Sequence, residues 1–198
     1  SGILRRELRL DGDEVIFMLS GNLGFAQGLA SWIDAFNTSD LPSRAHLVLQ
    51  GEGSDRRALQ ARTERFDRIH FLDAQDSVSA ATEFMRDADY LIVSLVDTEL
   101  SRKTMPSKIQ SNLALGMPMA ATVPGEAARV LADSGAAILG LPGSAKEVRR
   151  IVSAAMVESQ DMRRLRGQSG HAYYLEHMSQ ARGHGILRDA VEVALGRP

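Results

Sequence analysis

Met105-Pro-Ser-Lys-Ile-Gln-Ser-Asn-Leu-Ala-Leu-Gly-Met-Pro118 reads as a short helix with both ends marked. Pro106 suits a first turn, where a missing N–H costs nothing, and Ser107 is placed to satisfy a free amide there. Gly116 stops the helix in the left-handed conformation that a side chain resists. Pro118 then leads into Met-Ala-Ala-Thr-Val, a run suited to a buried strand. Ile109, Leu113 and Ala114 share the inward face, which leaves Ser107, Lys108, Ser111 and Asn112 around the amino end. Free N–H groups and partial positive charge collect at such an end, so a lysine beside it makes an anion seat. The same residues also describe a crossover helix with a solvated lysine, and the segments before it bear on the choice.

Those segments alternate between two periods. Glu14–Leu19, Ala45–Gln50, Arg68–Leu72, Tyr90–Ser94, Met119–Val123 and Ala136–Leu139 are short, nearly continuous apolar runs, as expected of strands buried on both faces. Between them lie helical patterns: Ala26–Phe36, a charged helix capped by Ser54 and running to about Arg65, Ser77–Met85 with Val78, Ala81 and Phe84 inward, and Glu126–Ser134. Such alternation predicts an α/β fold, a doubly wound, Rossmann-like parallel sheet of six strands with right-handed crossovers. Two halves of three strands imply the order 3-2-1-4-5-6, with ligands at the carboxyl ends beside the switch point. The loops there are Gly21–Gly28, Gly51–Gly53, Leu72–Asp76, Leu95–Ser107 and Pro124–Glu126. From Ser144 the pattern is helical throughout: Ser144–Val157, Met162–Gly167, His171–His177 and Ile186–Leu195. We therefore divide the chain into a nucleotide-type domain, 1–157, and a helical tail, 158–198, not needed to cover the sheet and expected to lean on a neighbouring domain. Arg163, Arg164, Arg166 and Arg188 on that tail read as a solvated face.

Composition narrows the function classes. With 23 basic and 25 acidic residues the net charge is −2, so no field points to nucleic acid. The absence of cysteine removes disulfides and thiolate metal sites and fits a reducing compartment. No apolar run reaches the length of a membrane span, and no signal peptide opens the chain. Ser1-Gly2 lies close to the first strand, so something upstream is expected to have been cut away.

Gly21-Asn22-Leu23-Gly24 sits where the first strand turns into the first helix, where glycines let amides approach a phosphate closely. A plain tight turn explains the same glycines. The stretch lacks the dinucleotide fingerprint, since Gln50-Gly51 stands where an acidic residue is needed, and it lacks a Walker Gly-Lys-Ser/Thr. Glu52 reads as a cap for the charged helix. His46, His70, His171, His177 and His184 form no metal cluster by spacing, and no metal is expected. Ser94 and Ser107 lack an elbow motif, and no carboxylate pair is set by spacing. The residues describe a nucleotide-type pocket without catalytic machinery of its own.

In order along the chain, Gly21-Asn22-Leu23-Gly24 with Gln27-Gly28, Gly51-Glu52-Gly53, Phe71-Leu72, Ala88–Val93, Pro106-Ser107-Lys108, Gly116-Met117-Pro118, Gly125-Glu126 and Gly135-Ala136 resemble the carboxyl-terminal domain of GT-B glycosyltransferases, the family 4 group of polysaccharide assembly. Arg166-Gly167 through Tyr174–His177 resembles its closing helices. The resemblance implies a retaining transfer from a nucleotide-diphospho-sugar, with no cofactor and no metal. The diphosphate would lie on Gly21, Asn22, Gly24 and Gln27 and on Ser107 and Lys108, the base near Leu72 and Gln75, and Glu126 near the cleft. It further implies a missing amino-terminal domain, a lipid-linked or saccharide acceptor, and a cytoplasmic enzyme peripheral to the inner membrane. Two departures stand out. Many members carry two glutamates eight positions apart, for sugar and ribose, where this chain has Lys103 and Ser111; many carry a lysine where it has Gln27. The Pro-Ser-Lys-Ile-Gln-Ser form resembles a subgroup near amino-sugar transferases, so a UDP-sugar donor carrying a hexose or acetamido sugar is expected. The fragment alone is expected to bind nucleotide without turning over. A non-catalytic Rossmann-like binding or interaction module is the other reading, and half of a sugar-nucleotide 2-epimerase a third.

Overall fold

Alternate residues of the first strand face opposite sides, and every one of them through Leu19 is apolar, so a helix layer is required on each side. The computed structural model describes residues 2–63 and 67–184. It contains six parallel strands, β1 (Val15–Ser20), β2 (Ala45–Gln50), β3 (Ile69–Leu72), β4 (Tyr90–Ser94), β5 (Met119–Thr122) and β6 (Ala137–Gly140), in the order β3-β2-β1-β4-β5-β6. This is the expected doubly wound sheet, with strand ends within a residue of the apolar runs.

One face is covered by α2 (Ala30–Phe36), α3 (Arg56–Gln60) and α8 (Ala145–Met156), packed on Phe17, Leu47, Tyr90 and Ile92. The other carries α1 (Ile3–Leu8), α4 (Val78–Asp87), α6 (Ser107–Leu115) and α7 (Gly125–Asp133), packed on Ile16, Met18, Leu91 and Ala121. A short α5 (Glu99–Lys103) lies within the loop expected at Leu95–Ser107, opened by reciprocal hydrogen bonds between Thr98 and Ser101. The last of these elements, α9 (Gln160–His177), is one continuous helix where two were expected.

Several local expectations need correction. The helix expected from Ala26 begins as a 3-10 turn, Phe25–Gln27, and restarts at α2, because Gly28 sits left-handed at φ 57°. Ser54 does not cap α3; its hydroxyl donates to Asp55, and the helix ends at Gln60. Ser107 is the first residue of α6 and caps nothing, the N-cap position falling to Pro106. Val78 is 86% exposed, leaving Phe84 as the buried anchor of α4. Gly116 does end α6 left-handed, at φ 67°. The α1 helix was not anticipated, although Leu4 is fully buried. The expected Ile186–Leu195 helix, Arg188 and the Arg65 end of the third helix lie outside the described residues.

The tail packs closely on the domain. Gly167 and Gly170 bring α9 against Gly116, Leu113 and Ala136, where a Cβ would collide. Tyr173, Tyr174 and Met178 pack on the second core. Arg163 and Arg166 are internal braces rather than a solvated face. Arg163 donates to Asp89 at 2.7 Å and lies over the Tyr90 ring, while Arg166 pairs with Glu158, which also accepts from the Tyr90 hydroxyl at 2.6 Å. Arg164 is solvated, as expected. Met162, Leu165 and Leu175 stay about half exposed on the outer side.

Candidate functional site

At the carboxyl ends of β1 and β2 the glycine loops are tied to each other. Gly21 N–H donates to the Gln50 carbonyl (2.9 Å), Leu23 N–H to the Glu52 carbonyl (2.7 Å) and Gly51 N–H to the Leu72 carbonyl (3.0 Å). Gly51, at φ 127°, lies so close to Gly21 that a Cβ would run into its carbonyl group. The glycines thus serve a tight approach of two loops. Gly24 N–H is taken by the Gln27 side chain at 3.1 Å, so this amide is occupied within the loop.

Lys108, in the first turn of α6, reaches across to Gly21. A Cβ built on Gly21 would stand 3.1 Å from the Lys108 Nζ. The ammonium is buried and has no hydrogen-bond partner among the described residues. Burial pushes its pKa down. Beside it is a cavity of about 150 Å³ lined by Gln27, Ser94, Ser107 and Lys108. The Ser94 hydroxyl sits at the end of a buried chain, Trp32 Nε1 donating to Thr122 (3.0 Å) and Thr122 to Ser94 (3.0 Å). Since Ser94 accepts from Thr122, its own O–H is left to donate elsewhere. Ammonium, hydroxyl and carboxamide therefore meet at a helix start, an arrangement suited to an anion.

A second hollow, about 300 Å³, opens on the other side of Gly21. Asn22, Gln50, Glu52, Gln75, Val78 and Ala81 are among its walls. Glu52 pairs with Arg56 and does not cap α3 through its side chain.

The structure thus brings together Gln27, Ser107 and Lys108 at one hollow and Gly21, Asn22 and Gln75 at the other. It does not gather the remaining expected residues there. Leu72 is half-buried against the second core. Ser111 turns its hydroxyl onto the Ser107 and Lys108 carbonyls of its own helix. Lys103 is exposed and pairs with Glu99 at 2.7 Å. Glu126 pairs with Arg129, whose hydrogen bond holds the carboxyl below its usual pKa. Ser20, Gln50 and Val78 at one hollow and Ser94 at the other line them without having been expected there; for the three polar residues, their place at the ends of apolar strand runs was the available signal. His46 and His70, 24 positions apart, stack with Nδ1 and Nε2 3.0 Å apart at the opposite rim. Among the described residues no group of three His, Cys, Asp or Glu is arranged for a metal, and no helix is long and apolar enough to cross a membrane.

A family profile described as glycosyl transferases group 1 matches residues 14–156. No curated protein matches the sequence. Among solved structures, the chain is similar to Anabaena Alr3699/HepE in complex with UDP, at 16% identity and a TM-score of 0.78, over 96% of this chain and 51% of that one. It is similar to alpha,alpha-trehalose 6-phosphate synthase from Burkholderia multivorans at 18% identity and a TM-score of 0.75, over 98% and 45% of the two chains. The C-terminal domain of the glycosyl transferase group 1 family protein LpcC from Francisella tularensis matches at 15% identity and a TM-score of 0.66, over 84% and 87%. At these identities the likeness is one of fold. The chain spans about half the length of the first two structures.

Proposed function

The chain belongs to the group 1 glycosyl transferases, with the GT-B fold of their carboxyl-terminal half, and from that premise we propose that it is the donor-binding domain of a retaining, metal-independent transferase. The donor is a nucleotide-diphospho-sugar, and the product belongs to polysaccharide or glycoconjugate assembly. One observation carries the reading: the buried ammonium of Lys108 lies against Gly21 with no hydrogen-bond partner among the described residues. A buried cation without a counter-charge is costly, and a diphosphate beside the start of α6 removes that cost. Asn22 and Gln75 lie in the adjoining hollow, where the nucleoside sits in this reading. That the Alr3699/HepE structure holds UDP supports a UDP-sugar. The half-exposed Met162, Leu165 and Leu175 on α9 support contact with an amino-terminal domain that carries the acceptor.

Titration calorimetry of the chain with UDP tests this. UDP binds, and Lys108→Ala weakens binding by about 1.5–3 kcal/mol, the scale of a charge-assisted hydrogen bond. Undetectable UDP binding by the wild-type chain, or unchanged affinity in Lys108→Ala, overturns the proposal. A non-catalytic nucleotide-binding module is the second reading, favoured by Lys103 and Ser111, neither of which presents a carboxylate. Release of UDP from a UDP-sugar by the full-length protein, with acceptor supplied, separates the two.

A further inference from the structure

Trp32, on α2, is fully buried in the first core, and an indole N–H can only donate. Its acceptor is the Thr122 hydroxyl, at 3.0 Å. Thr122 is itself fully buried, and the other polar group bonded to its hydroxyl is that of Ser94, also at 3.0 Å. Two hydroxyls taken alone leave the direction between them open. The indole decides it. Were Ser94 the donor, the Thr122 hydrogen would have no acceptor among the described residues, and buried polar hydrogens in native folds are nearly always paired. Thr122 therefore donates to Ser94.

The consequence falls on Ser94, the last residue of β4 and the register partner of Thr122. Its oxygen is occupied by Thr122, and its own hydrogen has no acceptor among the described residues. The residue is 4% exposed, yet it lines the 150 Å³ hollow together with Lys108. The Gln27 carboxamide oxygen on the same wall is already taken by the Gly24 amide. A hydroxyl hydrogen and an ammonium, both unmatched, thus face one small space, which suits an anionic oxygen.

Resting on the donor-binding reading above, we propose that Trp32 is a positioning residue for the donor diphosphate: by committing Thr122 to donate to Ser94, it turns the Ser94 hydrogen into the hollow, where it donates to a phosphate oxygen beside Lys108. The relay runs one way, from a core side chain that never touches the ligand to a hydroxyl that does. With phenylalanine at position 32, Thr122 is free to accept. Ser94 then donates inward, and the preset donor is lost.

Calorimetry with UDP tests this on wild type, Ser94→Ala, Trp32→Phe, Thr122→Val and the latter two each combined with Ser94→Ala, with a thermal melt of every variant to verify folding. Ser94→Ala loses about tenfold in UDP affinity, the scale of a charge-assisted hydrogen bond. Trp32→Phe and the nearly isosteric Thr122→Val each lose about three- to fivefold. In the Ser94→Ala background either change alters affinity by less than about twofold, because its effect passes through that hydroxyl. A merely structural tryptophan weakens binding equally with and without Ser94, and that result overturns the proposal. UDP affinity unchanged in Ser94→Ala, or in Trp32→Phe, overturns it as well; if Trp32→Phe does not fold, Thr122→Val decides in its place. In all these cases Lys108→Ala still weakens UDP binding and the donor-binding reading stands. Failure of wild type to bind UDP overturns both.

Discussion

The two rims of the sheet treat charge in opposite ways. At the amino-end rim Asp89 accepts from Arg5 (2.6 Å), from the Ile16 amide (2.8 Å) and from Arg163 (2.7 Å), tying α1, β1 and α9 into one brace. Nearby, Arg166, Glu158 and the Tyr90 hydroxyl form a second brace to α9, and there the buried phenol is pushed far up in pKa, first by burial and then by the Glu158 carboxylate. At the carboxyl-end rim the Lys108 ammonium has no hydrogen-bond partner among the described residues. Asp89 and Glu158 thus find their cationic partners within the chain, as does Arg56 at the carboxyl-end rim with Glu52 and Asp73, whereas the Lys108 ammonium finds none among the described residues.

The largest effect expected from this contrast is on the braced rim. Asp89→Ala leaves two arginines without their shared partner and should cost about 3 kcal/mol of stability, read from urea unfolding. A loss below about 1 kcal/mol would mean the brace is solvated and the two rims are less different than they look.

Next comes acid sensitivity, also confined to the amino-end rim. Burial, followed by the neighbouring His46, lowers the His70 pKa from 6.5 to about 4, with Asp67 and Glu14 opposing. The unfolded chain therefore binds a proton that the folded one refuses between about pH 6.5 and pH 4. Stability falls as pH drops through that window, by about 1–2 kcal/mol once solvent screening is allowed for. His70→Gln should flatten this acid slope between pH 7 and pH 5, and an unaltered slope would assign it to other groups.

The smallest effect has the opposite sign. Lys108→Met removes a buried, unmatched ammonium and should raise the stability of the ligand-free chain by about 1 kcal/mol while UDP binding weakens as in Lys108→Ala. Destabilisation instead would show that Lys108 already has a structural partner, which would erase the contrast between the rims.

Strands and their order were legible because burial on both faces forces runs of consecutive apolar residues, a signal carried within six residues of chain. Gly116 was legible for the same local reason, since left-handed backbone ends a helix wherever it stands. The α9 tail was not: its arginines look like a polar face, and only the distant Asp89 and Glu158 turn Arg163 and Arg166 into braces. The site divided along the same line. Lys108 beside a helix start was readable, but its lack of a partner was not, and Gln50 drew notice only as a residue missing from a different motif. Likewise the Gly24 amide looked available until the Gln27 side chain was seen to accept from it.

Sequence alone determined the layers, the strand order and the family, because periodicity of apolar residues and the positions of glycine and proline act locally and leave few topologies open. Only the tertiary structure decided which polar groups are matched, since the partners of Gln50, Asp89 and Arg163 come from other elements while Lys108 finds none among the described residues, and a buried group's cost depends on what stands opposite it.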